Sequence, residues 1–236
     1  MKVKYTEGFS LIELLLGLAI TAIIGLSVYN LFWSALKLDD KLRRVHDNYM
    51  EVLMADQSLT KDLENAIGLD LSVNYPAQKV FDGQKNELAF LTVTPTGIKR
   101  VRYFSGMVDR GKVTKTLIGQ RVSHLSSAFT RESLPIEFLL RQESSLADWA
   151  NETKNQSTQI VAAGFKKGTF HCQYAPWTQD LNIQGAKAIV YKDHWDNPGL
   201  PMAVSCSFSL YDPQSPQADI IFKRDIFLAP LSVRQP

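Results

Sequence analysis

The sequence predicts an α+β fold: a long N-terminal helix whose first half crosses a membrane and whose second half packs on an antiparallel β-sheet domain. Three features carry that prediction. The chain is uncharged from Leu14 to Leu36, it has no proline between Met1 and Leu71, and from Leu71 onward short apolar runs alternate with turn residues. About 23 uncharged residues at roughly 1.5 Å each make roughly 35 Å of helix, against about 30 Å of bilayer hydrocarbon. One carboxylate, Glu13, stands at the head of this run. A charge at membrane depth costs about 2.5 to 3.5 kcal/mol, so Glu13 is expected to have a partner and a purpose; placement at headgroup level is the blander alternative.

A short leader containing Lys2 and Lys4 ends in Gly8, and the chain continues Phe9-Ser10-Leu11-Ile12-Glu13. A secretory signal is cut after its apolar region, beyond a small-residue box, whereas here the glycine precedes the apolar region. The segment resembles the type III signal of type IV pilins and pseudopilins, which a prepilin peptidase cuts after the glycine before methylating the new amine. The resemblance implies cleavage between Gly8 and Phe9, N-methylation of Phe9, and an assembly role for Glu13. On a helix the new amine lies within a turn of Glu13, in its own chain or a neighbour's, and their attraction is weakly screened in hydrocarbon.

Beyond the span the helix is expected to continue. Leu38, Leu42, Val45, Tyr49, Val52, Leu59 and Leu63 recur at spacings of about four and three, with Asp56 at the missing position. The first stop signal is Gly68 after Ile67. A single helix from Phe9 to Ile67 is roughly 90 Å long, and its second half is expected to lay the apolar stripe on the protein's own sheet. The expected segments are thus a leader at 1–8, a transmembrane helix at 9–36, its amphipathic continuation at 37–67 and a β-rich domain at 68–236.

Within that domain Glu87–Val93 and Ile98–Phe104 flank Thr94-Pro95-Thr96-Gly97, a hairpin turn. Ile136–Leu140, Thr169–Tyr174, Ala186–Tyr191, Ala203–Leu210 and Ile220–Leu228 are further predicted strands. The polar stretches Gln142–Gln159 and Ala175–Gln184 read as loops, and Trp149 and Trp177 within them are expected to fold back on the core. Cys172 and Cys206 both fall in predicted strands, a candidate pair for either one disulfide or two buried thiols.

Composition excludes little. The chain has 236 residues and a formal net charge of +2, which asks for neither nucleic acid nor an acidic partner. The four histidines, His46, His124, His171 and His194, are scattered and sit in no nucleophile or zinc motif. Asp193-His194-Trp195-Asp196-Asn197-Pro198-Gly199 offers oxygen ligands for a cation but reads more simply as a turn. Lys99-Arg100-Val101-Arg102 is an alternating strand with one wet face. No cofactor, no metal and no enzymatic activity is expected.

Ser58-Leu59-Thr60-Lys61-Asp62-Leu63-Glu64-Asn65-Ala66, Glu87-Leu88-Ala89-Phe90, Val101-Arg102-Tyr103-Phe104, Leu200-Pro201-Met202-Ala203-Val204 and Phe222-Lys223-Arg224-Asp225-Ile226-Phe227-Leu228-Ala229-Pro230 resemble segments of the J-type minor pseudopilin of type II secretion. That resemblance implies a pilin-like fold and a tip subunit of a short periplasmic filament. The partners it implies are the I-type and K-type minor pseudopilins, the prepilin peptidase and the inner-membrane assembly platform. It also implies a single-pass inner-membrane protein with its C-terminal domain in the periplasm. Lys37, Lys41, Arg43 and Arg44 weigh against that orientation on a simple count, but Asp39 and Asp40 lie among them and large domains translocate largely regardless of charge. A minor pilin of a type IV pilus, with an assembly or adhesion role carried by the loops after Leu140, is the alternative.

Overall fold

Ser10 opens the first helix, α1 (Leu11–Glu64, 54 residues), in a computed structural model that describes residues 10–69, 79–107, 136–150, 156–177, 189–211 and 220–228; the side chains of Arg44, Ile136, Ala150 and Ile220 also lie outside the description. Residues up to His46 and residues from Asp47 onward form two units, taken in turn.

In the first unit α1 is long and apolar enough to cross a membrane, with none of its apolar window buried in protein. Two of its hydroxyls bond back to carbonyls one turn earlier, an arrangement that suits hydrocarbon. Thr21 Oγ1 donates to Gly17 O and Ser27 Oγ to Ile23 O, both at 2.8 Å. Tyr29 and Trp33 stack at 6.4 Å, and Lys37 Nζ lies 5.8 Å over the Trp33 ring. An aromatic pair followed one turn later by a lysine suits the boundary between hydrocarbon and water.

In the second unit the buried line of α1 runs Glu51, Ala55, Leu59, Leu63 in steps of four, so every turn places a side chain on the same face. The predicted stripe is corrected in part. Leu59 and Leu63 are buried and Val52 packs on the core, but Leu38, Leu42, Val45 and Tyr49 are exposed. The helix also ends at Glu64 rather than Ile67. The backbone there leaves the helix to join a strand: Ile67 N–H donates to Leu91 O at 3.0 Å, Val93 N–H to Asn65 O at 3.1 Å, and Ala66 bridges Thr92.

Among the described residues the sheet has eight strands, all antiparallel: β1 (Phe81–Gln84), β2 (Glu87–Thr94), β3 (Gly97–Gly106), β4 (Ile136–Ser145), β5 (Ser157–Lys166), β6 (His171–Ala175), β7 (Ala203–Leu210) and β8 (Ile220–Phe227). Their order is β1-β2-β3-β4-β5-β7-β6, with β8 on β7. The β2–β3 turn is the predicted one, with Thr94 facing Gly97 at φ 111°, a left-handed value that favours glycine. The β4–β5 ladder carries bulges, and Gly164 has φ 83°.

Much of the predicted loop Gln142–Gln159 is regular structure instead. β4 continues to Ser145, a short helix α2 (Leu146–Ala150) follows, and β5 begins at Ser157. Neither β1 nor β5 is among the strands expected from the sequence. Of the predicted strand Ala186–Tyr191, residues 186–188 lie outside the described residues and 189–191 are not in a strand; pairing there is limited to a bridge between Tyr174 and Lys192. Within Ala175–Gln184, Ala175 ends β6 and residues 178–184 lie outside the description. Trp149 is buried as expected, against Ile67, Val80 and Leu91, whereas Trp177 is about half exposed and donates its indole N–H to Leu200 O at 3.0 Å.

The sheet curls until its two ends meet. Cys172 N–H of β6 donates to Lys85 O at the β1–β2 turn at 2.6 Å, and Trp195 N–H donates to Gly83 O of β1 at 2.9 Å. Inside the curl, Phe81, Phe90, Tyr103, Phe165, Tyr174 and Phe208 are fully buried beneath Leu59 and Leu63 of α1. Each buried leucine or phenylalanine contributes about 1.5 to 3 kcal/mol. Gly83 is required where β1 meets β6, because a Cβ there would lie 2.6 Å from the Tyr174 ring.

Candidate functional site

Two places concentrate polar chemistry, the start of α1 and the seam between α1 and the sheet. At the start of α1, Gly8 and Phe9 lie outside the described residues. Glu13 is exposed in the first turn and forms a reciprocal cap with Ser10. Glu13 N–H donates to Ser10 Oγ at 3.3 Å, while Glu13 Oε2 accepts from Ser10 N–H at 3.1 Å and from Ser10 Oγ at 3.2 Å. Two backbone donors that the helix leaves unpaired are thereby satisfied, and the carboxylate sits at the positive end of the helix dipole. The Ser-x-x-Glu spacing of this capping box is written in the sequence, although it is not among the expectations drawn from it. The carboxylate is aimed back along the chain at Ser10.

At the seam, Asp62 of α1 is the hub. Arg141 of β4 donates to it from Nε at 2.6 Å, and the Tyr103 hydroxyl of β3 donates to it at 2.7 Å while accepting from Ser58 Oγ at 2.7 Å. Arg141 Nη1 also reaches Glu143 at 2.6 Å, and Glu143 takes Lys99 Nζ at 2.7 Å. Burial opposes the Arg141 charge, but the hydrogen bonds to Asp62 and Glu143 overcome it and hold the guanidinium above its ordinary value. Burial, reinforced by the Asp62 charge, pushes the Tyr103 hydroxyl up; the bonds from Lys99 and Arg141 hold Glu143 below the usual carboxylate range. Glu51 makes a second tie, its Oε2 accepting from Ala163 N–H at 2.8 Å beside the β4–β5 bulge. These groups satisfy one another and anchor the helix to the sheet.

Cys172 and Cys206 stand directly opposite on β6 and β7. Since Cys172 N–H turns away to Lys85, this is a pair without ladder hydrogen bonds, the type that brings side chains closest. Both cysteines are buried with their sulfurs 2.7 Å apart, and burial pushes the Cys172 thiol up. The structure thus brings together a pair that the sequence could only nominate.

The stretch from Asp193 to Gly199 folds as a turn. Trp195 is buried and donates its indole N–H to Gly199 O at 2.6 Å, and Asp193 accepts from Gln173 at 2.9 Å. Among the described residues no group of three or more His, Cys, Asp or Glu side chains is placed to hold a metal ion.

Comparison with known proteins adds one match. Residues 4–29 fit the family model described as the prokaryotic N-terminal methylation motif. No curated protein and no solved structure matches the chain. The motif makes the N-terminal segment type IV prepilin-like. The motif heads a helix that is long and apolar enough to cross a membrane, a combination that fits a membrane-anchored protein of pilin-like or pseudopilin type.

Proposed function

We propose that this chain is a minor pseudopilin of a type II secretion system, a tip subunit that helps initiate the filament for protein export. The observation that carries the reading is the methylation motif at residues 4–29, heading a helix of membrane-spanning length with a single carboxylate at its first turn. A prepilin peptidase hydrolyses the Gly8–Phe9 bond, leaving a carboxylate on Gly8 and an amine on Phe9, which is then methylated. Within the bilayer that amine seeks a carboxylate. At about 4 Å and an effective dielectric constant of about 20 the attraction is about 4 kcal/mol, enough to select the register at which a subunit docks on its neighbour. Glu13, already turned toward the start of the chain by Ser10, is the acid in that pairing.

The I-type and K-type minor pseudopilins are the proposed neighbours, the inner membrane the proposed site, and the sheet domain lies on the periplasmic side. Glu13→Ala tests the reading. The variant is expected to be processed at the normal site but to be lost from the complex that wild-type chain forms with the other minor subunits. Normal recovery of that complex would remove Glu13 from the mechanism, and capture with the subunits of a type IV pilus instead would overturn the assignment to secretion.

A further inference from the structure

The face of the sheet turned away from α1 carries an arginine that is paired unlike its neighbours. Among the described arginines of the sheet, Arg102 grips Glu87 at 2.6 and 2.7 Å, Arg141 grips Asp62, and Arg224 lies 3.3 Å from Asp56. Arg100 instead places its guanidinium 4.7 Å over the ring of Trp149. Burial, the largest influence on it, holds its pKa below the ordinary arginine value, and the charges of Asp82 and Glu87 only partly offset that. The Trp149 ring is itself fixed, packed with Ile67, Val80 and Leu91. Arg100 is therefore held on a rigid aromatic platform, partly stripped of water and, among the described residues, without a hydrogen-bonded carboxylate.

Arg100 and Trp149 line a cleft of about 190 Å³ together with Arg102, Glu87, Gln142 and Ser144. Glu87 is already neutralised by Arg102, whose Nη1 also reaches Gln142 Oε1 at 3.4 Å, so the groups lining the cleft keep one net positive charge. The Gln142 amide and the Ser144 hydroxyl bring neutral donors to its wall. A single guanidinium flanked by such donors suits a carboxylate, which accepts from several of them at once. The volume is below the roughly 300 to 1,000 Å³ of sites that enclose a whole small molecule. It suits one side chain entering from outside.

We propose that this cleft binds a carboxylate, supplied by an aspartate or glutamate side chain of a neighbouring polypeptide. The assignment rests on the cleft alone and stands whichever filament the anchor serves. The test uses the full chain in detergent micelles with ¹⁵N-labelled tryptophan, the Trp149 indole signal being assigned with Trp149→Phe. The probes are the capped peptide acetyl-Gly-Glu-Gly-amide, its glutamine counterpart and acetate. The glutamate peptide is expected to shift the Trp149 signal saturably, the glutamine peptide to leave it in place, and Arg100→Gln to weaken the response at least about tenfold, the loss of one charged hydrogen-bonding partner. Equal responses to the two peptides, measured on the unaltered protein, would overturn the carboxylate assignment without relying on a variant. Acetate binding as tightly as the peptide would overturn the polypeptide source.

Discussion

Replacing Asp62 with alanine removes the acceptor on which α1 and the sheet converge. The Asp62 and Arg141 side chains are 12% and 13% exposed, so the guanidinium left behind cannot simply be rehydrated. Breaking a buried ion pair by removing one partner costs about 3 to 5 kcal/mol. Arg141 keeps Glu143 and Tyr103 keeps Ser58, which places the expected loss at the lower end, about 3 kcal/mol, or about a hundredfold in the folding equilibrium. Glu143→Ala, which removes a more exposed carboxylate from the same chain of contacts, is expected to cost about 1 kcal/mol. Arg43→Ala is the control: its partner Asp39 is 56% exposed and it is itself 75% exposed, so the change is expected to fall within about 0.5 kcal/mol. Urea titration of the full chain in detergent micelles, followed by tryptophan fluorescence, reads these differences because Trp149 and Trp195 are buried in the sheet domain. An Asp62→Ala loss no larger than that of Glu143→Ala would refute the view that Asp62 anchors the helix.

Other perturbations separate packing, redox state and protonation. Gly83→Ala forces a methyl to within 2.6 Å of the Tyr174 ring, whose hydroxyl is tied to Gln84 O at 2.8 Å; a loss of about 2 kcal/mol is expected, against no change for Gly199→Ala, where the added atom meets nothing within 4 Å. Equal melting temperatures for the two variants would contradict the close packing at that position. In an oxidising envelope Cys172 and Cys206 are expected to form a disulfide by exchange with the disulfide of a thiol oxidase, closing 34 residues of chain for about 4 kcal/mol of stabilisation. Protein denatured without reductant should then take up no alkylating agent at either cysteine, and labelling of both would show that they remain thiols. Glu143 has a lowered folded-state pKa, so its contribution is complete above the ordinary glutamate value and is lost as the pH falls through the lowered one. Tyr103 has a raised one, so its contribution is complete below about pH 10 and is lost as the pH rises further. Glu143→Gln should therefore flatten the acid limb of the stability profile and Tyr103→Phe the alkaline limb; unchanged limbs would remove these groups from the pH response.

What could be read from the sequence was local. The span of α1 follows from an uncharged run without proline, and the β2–β3 hairpin from two apolar runs around Pro95 and Gly97. β5 escaped because it opens with Ser157-Thr158-Gln159 and carries Ala162, Ala163 and Gly164, residues with little strand signature, ahead of its buried Phe165. Residues 189–191 look like part of a strand because they are apolar, yet no neighbouring strand is in register with them among the described residues. The Ser10–Glu13 cap was legible at a spacing of three. The Asp62–Arg141 tie was not, since its partners are 79 residues apart and only the curl of the sheet brings β4 under α1. The same holds for the facing cysteines, and for Arg100, whose partner in α2 is an aromatic ring rather than a carboxylate.

The central claim is that this chain is processed as a prepilin, and the most direct test is its N-terminal sequence and intact mass after extraction from native membranes. The account predicts a mature chain that begins with methylated Phe9. A chain still beginning at Met1, or one cut beyond the apolar run, would contradict it.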